Sequence, residues 1–178
     1  TLKLACSIAA GFVIVRLFVI YHDYLHKAIL DKSPVAHGLF TIFGFYVLAP
    51  IGIWSTSHDY HHKNNSKLFS ASIGSYPIYT KHKFETISKM EQWHYLFIRH
   101  PLTIALGYIF AFMYGMCLKS LINRFKKHLD SLLALIFHFA YQAAVFYFLG
   151  WKTWILLCAI PHFISGAIGA YLFYAQHN

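Results

Sequence analysis

Two histidine clusters, His22-Asp23-Tyr24-Leu25-His26 and His58-Asp59-Tyr60-His61-His62, are separated by an apolar stretch, residues 35–54, about long enough to cross a bilayer. No other feature narrows the fold as much. On an α-helix, positions i, i+3 and i+4 share a face, so His58, His61 and His62 can converge on one point, as can His22 and His26. If the stretch between the clusters crossed, they would be separated by about 30 Å of hydrocarbon and could not share a site. The expectation is therefore a re-entrant or in-plane helical hairpin with both ends on one side. Gly38, Gly44, Pro50 and Gly52 suit a broken helix whose backbone is covered by protein.

The rest of the chain is membrane material, with 12% charged residues against about 25% in an ordinary soluble domain. Residues 2–21, interrupted by Arg16, read as a span, as do 132–149 and 154–174, joined by the tight Gly150-Trp151-Lys152-Thr153 turn. Residues 102–118 read as a second segment that returns without crossing. The stretch from Lys63 to His100 is the main extramembrane part, with a surface helix expected over Lys81 to Trp93 and Trp93, Tyr95 and Phe97 at the interface. Of the 15 Lys and Arg, all but Lys3, Arg16 and Lys152 then lie on the side of the histidine clusters, which makes that side cytoplasmic. The net charge of +9 reads as basic loops at an anionic leaflet, not as a nucleic-acid surface. The expected architecture is all-α and integral to the membrane, a single domain over residues 1–178, with both termini read as cuts in a longer chain.

Several residues admit plainer readings. Arg16 lies two turns before Asp23 and is either a snorkelling side chain or a buried partner of the site. Cys6, Cys117 and Cys158 belong to no Cys-x-x-Cys spacing and read as small core hydrophobes. His138 and His162 fall inside spans, where interhelical hydrogen bonding is expected. His37 reads as a helix cap, and His82, His94, His100 and His128 as surface residues.

Metal binding needs neutral imidazole, held in one tautomer when its other nitrogen donates to a carboxylate or carbonyl. Asp23 and Asp59, each next to the first histidine of its cluster, are placed to accept such bonds across the two clusters. A nitrogen-rich set argues against Ca²⁺ and Mg²⁺ and leaves zinc, copper, nickel or iron. A structural zinc closes with four ligands, so five or six within reach point to two metals. Spacing leads as far as a dinuclear, histidine-rich membrane site.

His22-Asp23-x-x-His26 followed by His58-x-x-His61-His62, each at the end of an apolar run, resembles the first two histidine boxes of the membrane fatty acid desaturases. The closing Tyr171-Leu172-Phe173-Tyr174-Ala175-Gln176-His177-Asn178 resembles a Gln-His segment of the bacterial acyl-lipid branch, which Gly74-Ser75-Tyr76-Pro77-Ile78-Tyr79 and Arg99-His100-Pro101-Leu102 also fit. The resemblance covers nearly the whole chain. It implies two non-haem iron ions, O₂ as co-substrate, and removal of two hydrogens from neighbouring carbons of a lipid acyl chain. By motif match the iron ligands are His22, His26, His58, His61, His62 and His177. A third His-x-x-His-His box of that family lies beyond Asn178, so this stretch alone is expected to be inactive. The implied partners are an acyl-lipid substrate and an electron donor such as ferredoxin or cytochrome b5; the implied location is a bacterial inner membrane, with the metals at the cytoplasmic face.

Elementary chemistry agrees with that expectation. A saturated methylene offers neither acidic proton nor leaving group, so acid–base and nucleophilic catalysis have nothing to act on. Oxidising it takes a redox metal or another redox cofactor. The alternatives are a related di-iron hydroxylase or ketolase, for example on carotenoids, and, from another class, a non-catalytic metal-binding membrane protein or a transporter.

Overall fold

The computed structural model describes residues 2–54, 76 and 78–176, with Gln176 by its backbone alone. All regular structure among them is helical. Helix α1, Leu2–Leu25, is long and apolar enough to cross a membrane. It stops because Lys27 takes a left-handed conformation (φ 58°), letting Ala28 N–H donate to Asp23 C=O at 3.0 Å and Lys27 N–H to Tyr24 C=O at 2.9 Å. The first histidine cluster therefore forms the last turn of α1.

Helix α2, Pro34–Tyr46, begins where the Ser33 hydroxyl accepts from Ala36 N–H at 3.2 Å, with Pro34 at its first position. It ends by the same device as α1: Ala49 N–H donates to Gly44 C=O at 2.8 Å and Leu48 N–H to Phe45 C=O at 3.4 Å around a left-handed Leu48 (φ 58°). A left-handed non-glycine residue costs about 1–2 kcal/mol. Complete burial of Leu48 and the Cys117 thiol, which donates to its carbonyl at 3.3 Å, hold it there. Pro50 follows, and residues 51–54 are helical again. At one end of this hairpin Tyr24 Oη lies 3.0 Å from His37 Nδ1; at its far point the Tyr46 and His162 rings are 4.7 Å apart; on its return Trp54 packs on Phe18 at 5.2 Å and reaches His22 at 6.2 Å. Both ends of 34–54 thus meet the C-terminal end of α1, as the shared-site argument requires.

Shorter helices follow along the chain. Helix α3 is Lys81–Thr86 and α4 is Lys89–Arg99, so the single surface helix expected over Lys81 to Trp93 is two. The break is at Ser88, whose hydroxyl accepts from Glu91 N–H while Glu91 accepts from Ser88 N–H at 3.0 Å. Those bonds hold the Glu91 carboxyl below the usual carboxylate range. On α4, Met90, Trp93 and Leu96 are exposed, with Trp93 stacked on Phe97, as an interfacial helix requires. Helix α5, Pro101–Ala105, leads into a π-helical segment, Tyr108–Leu118, and α6, Lys119–Asn123.

Helix α7, Leu129–Trp154, is broken at Gly150 (φ 80°, ψ 164°). A Cβ there would meet nothing within 4 Å, so the backbone angle, not crowding, calls for glycine. A π-helical turn, Ile155–Ala159, joins it to α8, Ile160–Gln176. Contacts on either side of Gly150, Phe146 with Trp154 at 6.2 Å and His138 with His162 at 4.9 Å, fold the apolar stretch Leu129–Ala175 into an antiparallel pair. Tyr108 stands level with His138 and Ser120 with Ser131, so residues 108–123 run back along α7 to its start.

Helices α1 and α8 pack in parallel. The Ser7 hydroxyl donates to Leu156 C=O at 2.6 Å, Gly11 abuts Ile164, and Phe18 meets Phe173 at 6.3 Å. Apolar helices in lipid associate through close backbone approach and hydrogen bonds, which small residues permit. The parallel pairing brings Gln176 to the same end as His22.

Arg16 is exposed on α1, which favours its snorkelling reading over that of a buried partner. Two expectations need correction. Cys6, read as a core residue, is exposed, while Cys117 and Cys158 are buried as expected. His128, expected at the surface, is only 7% exposed because the Phe125–Lys127 turn folds it inward ahead of α7. Burial holds its pKa below the ordinary value, with Asp130 opposing and Lys127 and Arg124 reinforcing the shift. Near that pKa the folded state binds fewer protons than the unfolded one. The His128 contribution is therefore complete above about pH 6.5 and is lost as pH falls through the depressed value. A His128→Phe variant should lose less thermal stability on acidification than the parent; parallel melting curves would refute this.

Candidate metal centre

His22 and His26 project from the closing turn of α1, four residues apart, with His26 N–H bonded to His22 C=O at 3.0 Å. Their ring centroids are 4.5 Å apart and the planes meet at 67°. His22 Nδ1 lies 3.5 Å from Asp23 Oδ1. Asp23 therefore lies beside the histidine of its own cluster, while the expected bond across the two clusters involves residues outside those described. The carboxylate favours a proton on Nδ1, which makes Nε2 the ring nitrogen with the lone pair suited to a metal.

His58, His61, His62, Asp59 and His177 lie outside the described residues. Among the described residues, no group of three or more His, Cys, Asp or Glu side chains is gathered closely enough to hold a metal. The elements leading to those positions nevertheless meet. Trp54, after which the second cluster begins, packs against His22 and against Phe173 of α8 at 5.2 Å. Asp130, at the start of α7, takes Ile53 N–H at 3.2 Å and Ser131 N–H at 2.9 Å, so it ties the returning arm of the hairpin to that helix. Gly52 passes so near that a Cβ would stand 2.5 Å from Asp130 Oδ2. Nothing in the sequence ties Asp130 to residues 77 positions away.

Below His22 and Asp23 opens a cavity of about 430 Å³. Ile14, Val15, Phe18 and Val19 of α1 line one wall, and Gly166, Gly169, Leu172 and Phe173 of α8 the other. Its far end is closed by Val47, Tyr108 and His162. Read along α8 from His162 to Phe173, it extends about 16 Å at the helical rise of 1.5 Å per residue. Sequence reading missed these residues individually, although the 14, 18, 22 and 15, 19, 23 spacing along α1 is the signal for one lining face.

His138, expected to hydrogen-bond between helices, does so. Its Nδ1 lies 2.7 Å from the Tyr46 carbonyl, left open at the end of α2, and its Nε2 lies 2.7 Å from Tyr108 Oη. His37 does not cap α2; Ser33 does, and His37 meets Tyr24.

Comparison with known proteins bears on this site. The family described as fatty acid desaturase matches residues 2–178. A "Fatty acid desaturase" of Bacillus subtilis (strain 168) is 30% identical over 172 residues, 96% of this chain and 49% of that protein. The chain thus spans about half the length of the curated relative it matches. No solved structure matches it.

Proposed function

Because the chain belongs to the fatty acid desaturase family, we propose that it is the part of a membrane oxidoreductase that carries the first two histidine boxes and the acyl channel. The observation that carries this reading is the apolar cavity with His22 and Asp23 at its mouth. A lipid acyl chain is the substrate whose shape and polarity suit it.

The nitrogen donors at the end of α1 fit a first-row transition metal: two imidazoles on one face, one of them oriented by a carboxylate. His22, His26, His58, His61, His62 and His177 would hold two non-haem iron ions, with Asp23 and Asp59 as hydrogen-bond partners of the ligands. When bound, the irons supply the oxidising power, with O₂ as co-substrate. In the overall balance, the acyl chain gives up two hydrogens from adjacent carbons, a donor adds two electrons with two protons, and O₂ leaves as two waters.

The protein's own tasks follow from its residues. Phe18, Phe112, Leu172 and Phe173 exclude water and hold the chain along the cavity axis. Asp23 keeps the proton of His22 on Nδ1, so that Nε2 remains a lone pair. Lys119, Arg124, Lys126 and Lys127 form a basic edge at the same end as Ser131 and Asp130, suited to dock an acidic electron donor such as ferredoxin or cytochrome b5. The positive-inside bias would place this face, and the metals, toward the cytoplasm.

The test is lipid analysis of a desaturase-free host expressing the complete protein. A new alkene supports the reading; a new hydroxyl or ketone without an alkene would transfer it to the hydroxylase or ketolase alternative. Val15→Trp should fill the cavity from a half-buried position. Acyl turnover is expected to fall at least about tenfold with iron content unchanged, since near-attack placement of the chain is lost. Unaltered turnover would remove the cavity from the mechanism.

A further inference from the structure

The far end of the cavity is not apolar, and its hydrogen bonds have a direction. Trp154 Nε1–H donates to Gln142 Oε1 at 3.1 Å. The Gln142 amide nitrogen in turn donates to Tyr108 Oη at 2.8 Å and also lies 2.6 Å from His138 Nε2. A carbonyl can only accept, so His138 must carry its proton on Nδ1, facing Tyr46 C=O. Its Nε2 is then an acceptor, supplied by Tyr108 O–H.

The same logic applied to His162 gives a different result. Its Nδ1 lies 2.7 Å from Cys158 C=O and must carry the proton, so Nε2 is a lone pair. No hydrogen-bond donor reaches it among the described residues. Tyr108 spends its single proton on His138, Ser165 O–H donates to His162 C=O at 3.3 Å, and the Tyr46 carbonyl that the ring also meets is itself an acceptor. His162 is 2% exposed and lines the cavity. A buried acceptor without a donor is destabilising, and nearly all such groups are satisfied.

We propose that this end of the cavity is a hydroxyl subsite, in which His162 Nε2 accepts a hydrogen bond from an O–H group. The group is either a hydroxyl carried by the aliphatic chain or a water trapped beyond the chain's methyl end. The chain source rests on the acyl reading of the cavity. In both cases His162 is a specificity-determining residue, about 16 Å from the metal end by helical rise.

The test measures binding, not turnover, so that a failure of desaturation and a failure of the subsite are separable. The complete protein in detergent is titrated with octadecanoic acid and with analogues whose hydroxyl is moved one carbon at a time toward the methyl end. If the chain supplies the hydroxyl, one or two positions bind about tenfold tighter than the parent acid, a gain of about 1.4 kcal/mol. That gain disappears in His162→Phe and persists in His162→Gln, whose amide oxygen can still accept. If water is the source, no hydroxyl position gains, and His162→Phe binds the parent acid more tightly. The nitrogen-NMR shift of His162 Nε2 reads the hydrogen bond directly, whether or not any chain binds. A shift characteristic of a bare lone pair in both the chain-free and hydroxy-chain samples overturns the proposal. So does a binding series that neither the hydroxyl position nor His162→Phe changes.

Discussion

Replacing His26 by alanine in the complete protein is expected to abolish iron loading and reduce acyl-lipid oxidation by more than about a hundredfold, while the protein remains folded in the membrane. The separation of these effects comes from position. His26 is exposed at the last turn of α1, so its removal opens no core cavity, unlike loss of the neighbouring Tyr24, which is buried and stacked on Phe40 at 4.6 Å. Its ring stands against His22 at 4.5 Å, and that pair is the part of the site the described residues contain. Loss of a hydrogen-bond partner behind a ligand typically costs about 10–100-fold in affinity or activity, and loss of the ligand itself more. Asp23→Asn should therefore give the milder defect, within that range, by loosening the His22 tautomer. Metal analysis and melting curves on both variants decide the matter. Full iron content in His26→Ala would remove it from the ligand set, and an unfolded variant would make the residue structural.

Gly166→Val is expected to lower the melting temperature by about 5–10 °C. A Cβ at Gly166 would stand 2.6 Å from Tyr108 Cβ and 2.7 Å from both Tyr108 Cα and N. Two of these three are backbone atoms, so no rotamer change relieves the contact. Opposite it, a Cβ at Gly107 would collide with Ala170 Cβ and the Gly166 carbonyl. The two glycines are therefore what allows the π-helical segment to lie directly on α8. Forcing them apart would also shift Tyr108 away from His138 and His162 and open the end of the cavity. Gly38→Ala is the control: a Cβ there meets nothing within 4 Å, and the helix gains a better former. Equal melting temperatures for the two variants would show that the interface can slide to accept the bulk.

Much of the architecture could be read before any coordinates. The hairpin over 34–54 followed from two histidine clusters that had to share a side, and the break at Gly150 from a turn between two apolar runs. The halting of α2 was less legible. Its left-handed cap falls on Leu48, where sequence convention looks for glycine, and burial with the Cys117 bond is what holds it. His128 was misread for a related reason: a basic neighbourhood suggested solvent, while a single 3-10 turn rotates the ring inward. Of the candidate site, the pair on α1 was visible because i and i+4 on one helix is a local relation. The contact of Asp23 with His22 of its own cluster was not foreseen, because sequence reading looked only to the other cluster for its partner.

The sequence by itself determined the medium, the helical class and the family. These depend on run length, local spacing and charge bias, all quantities that a linear chain carries. Only the tertiary structure decided which helices touch, where the cavity runs, that Asp130 anchors Ile53, and that no described residue donates to His162 Nε2. The physical reason is that packing in lipid is set by close approach at Gly11, Gly107 and Gly166 and by which buried donors are already spent. Those are properties of pairs of residues far apart in the chain, and no local pattern encodes them.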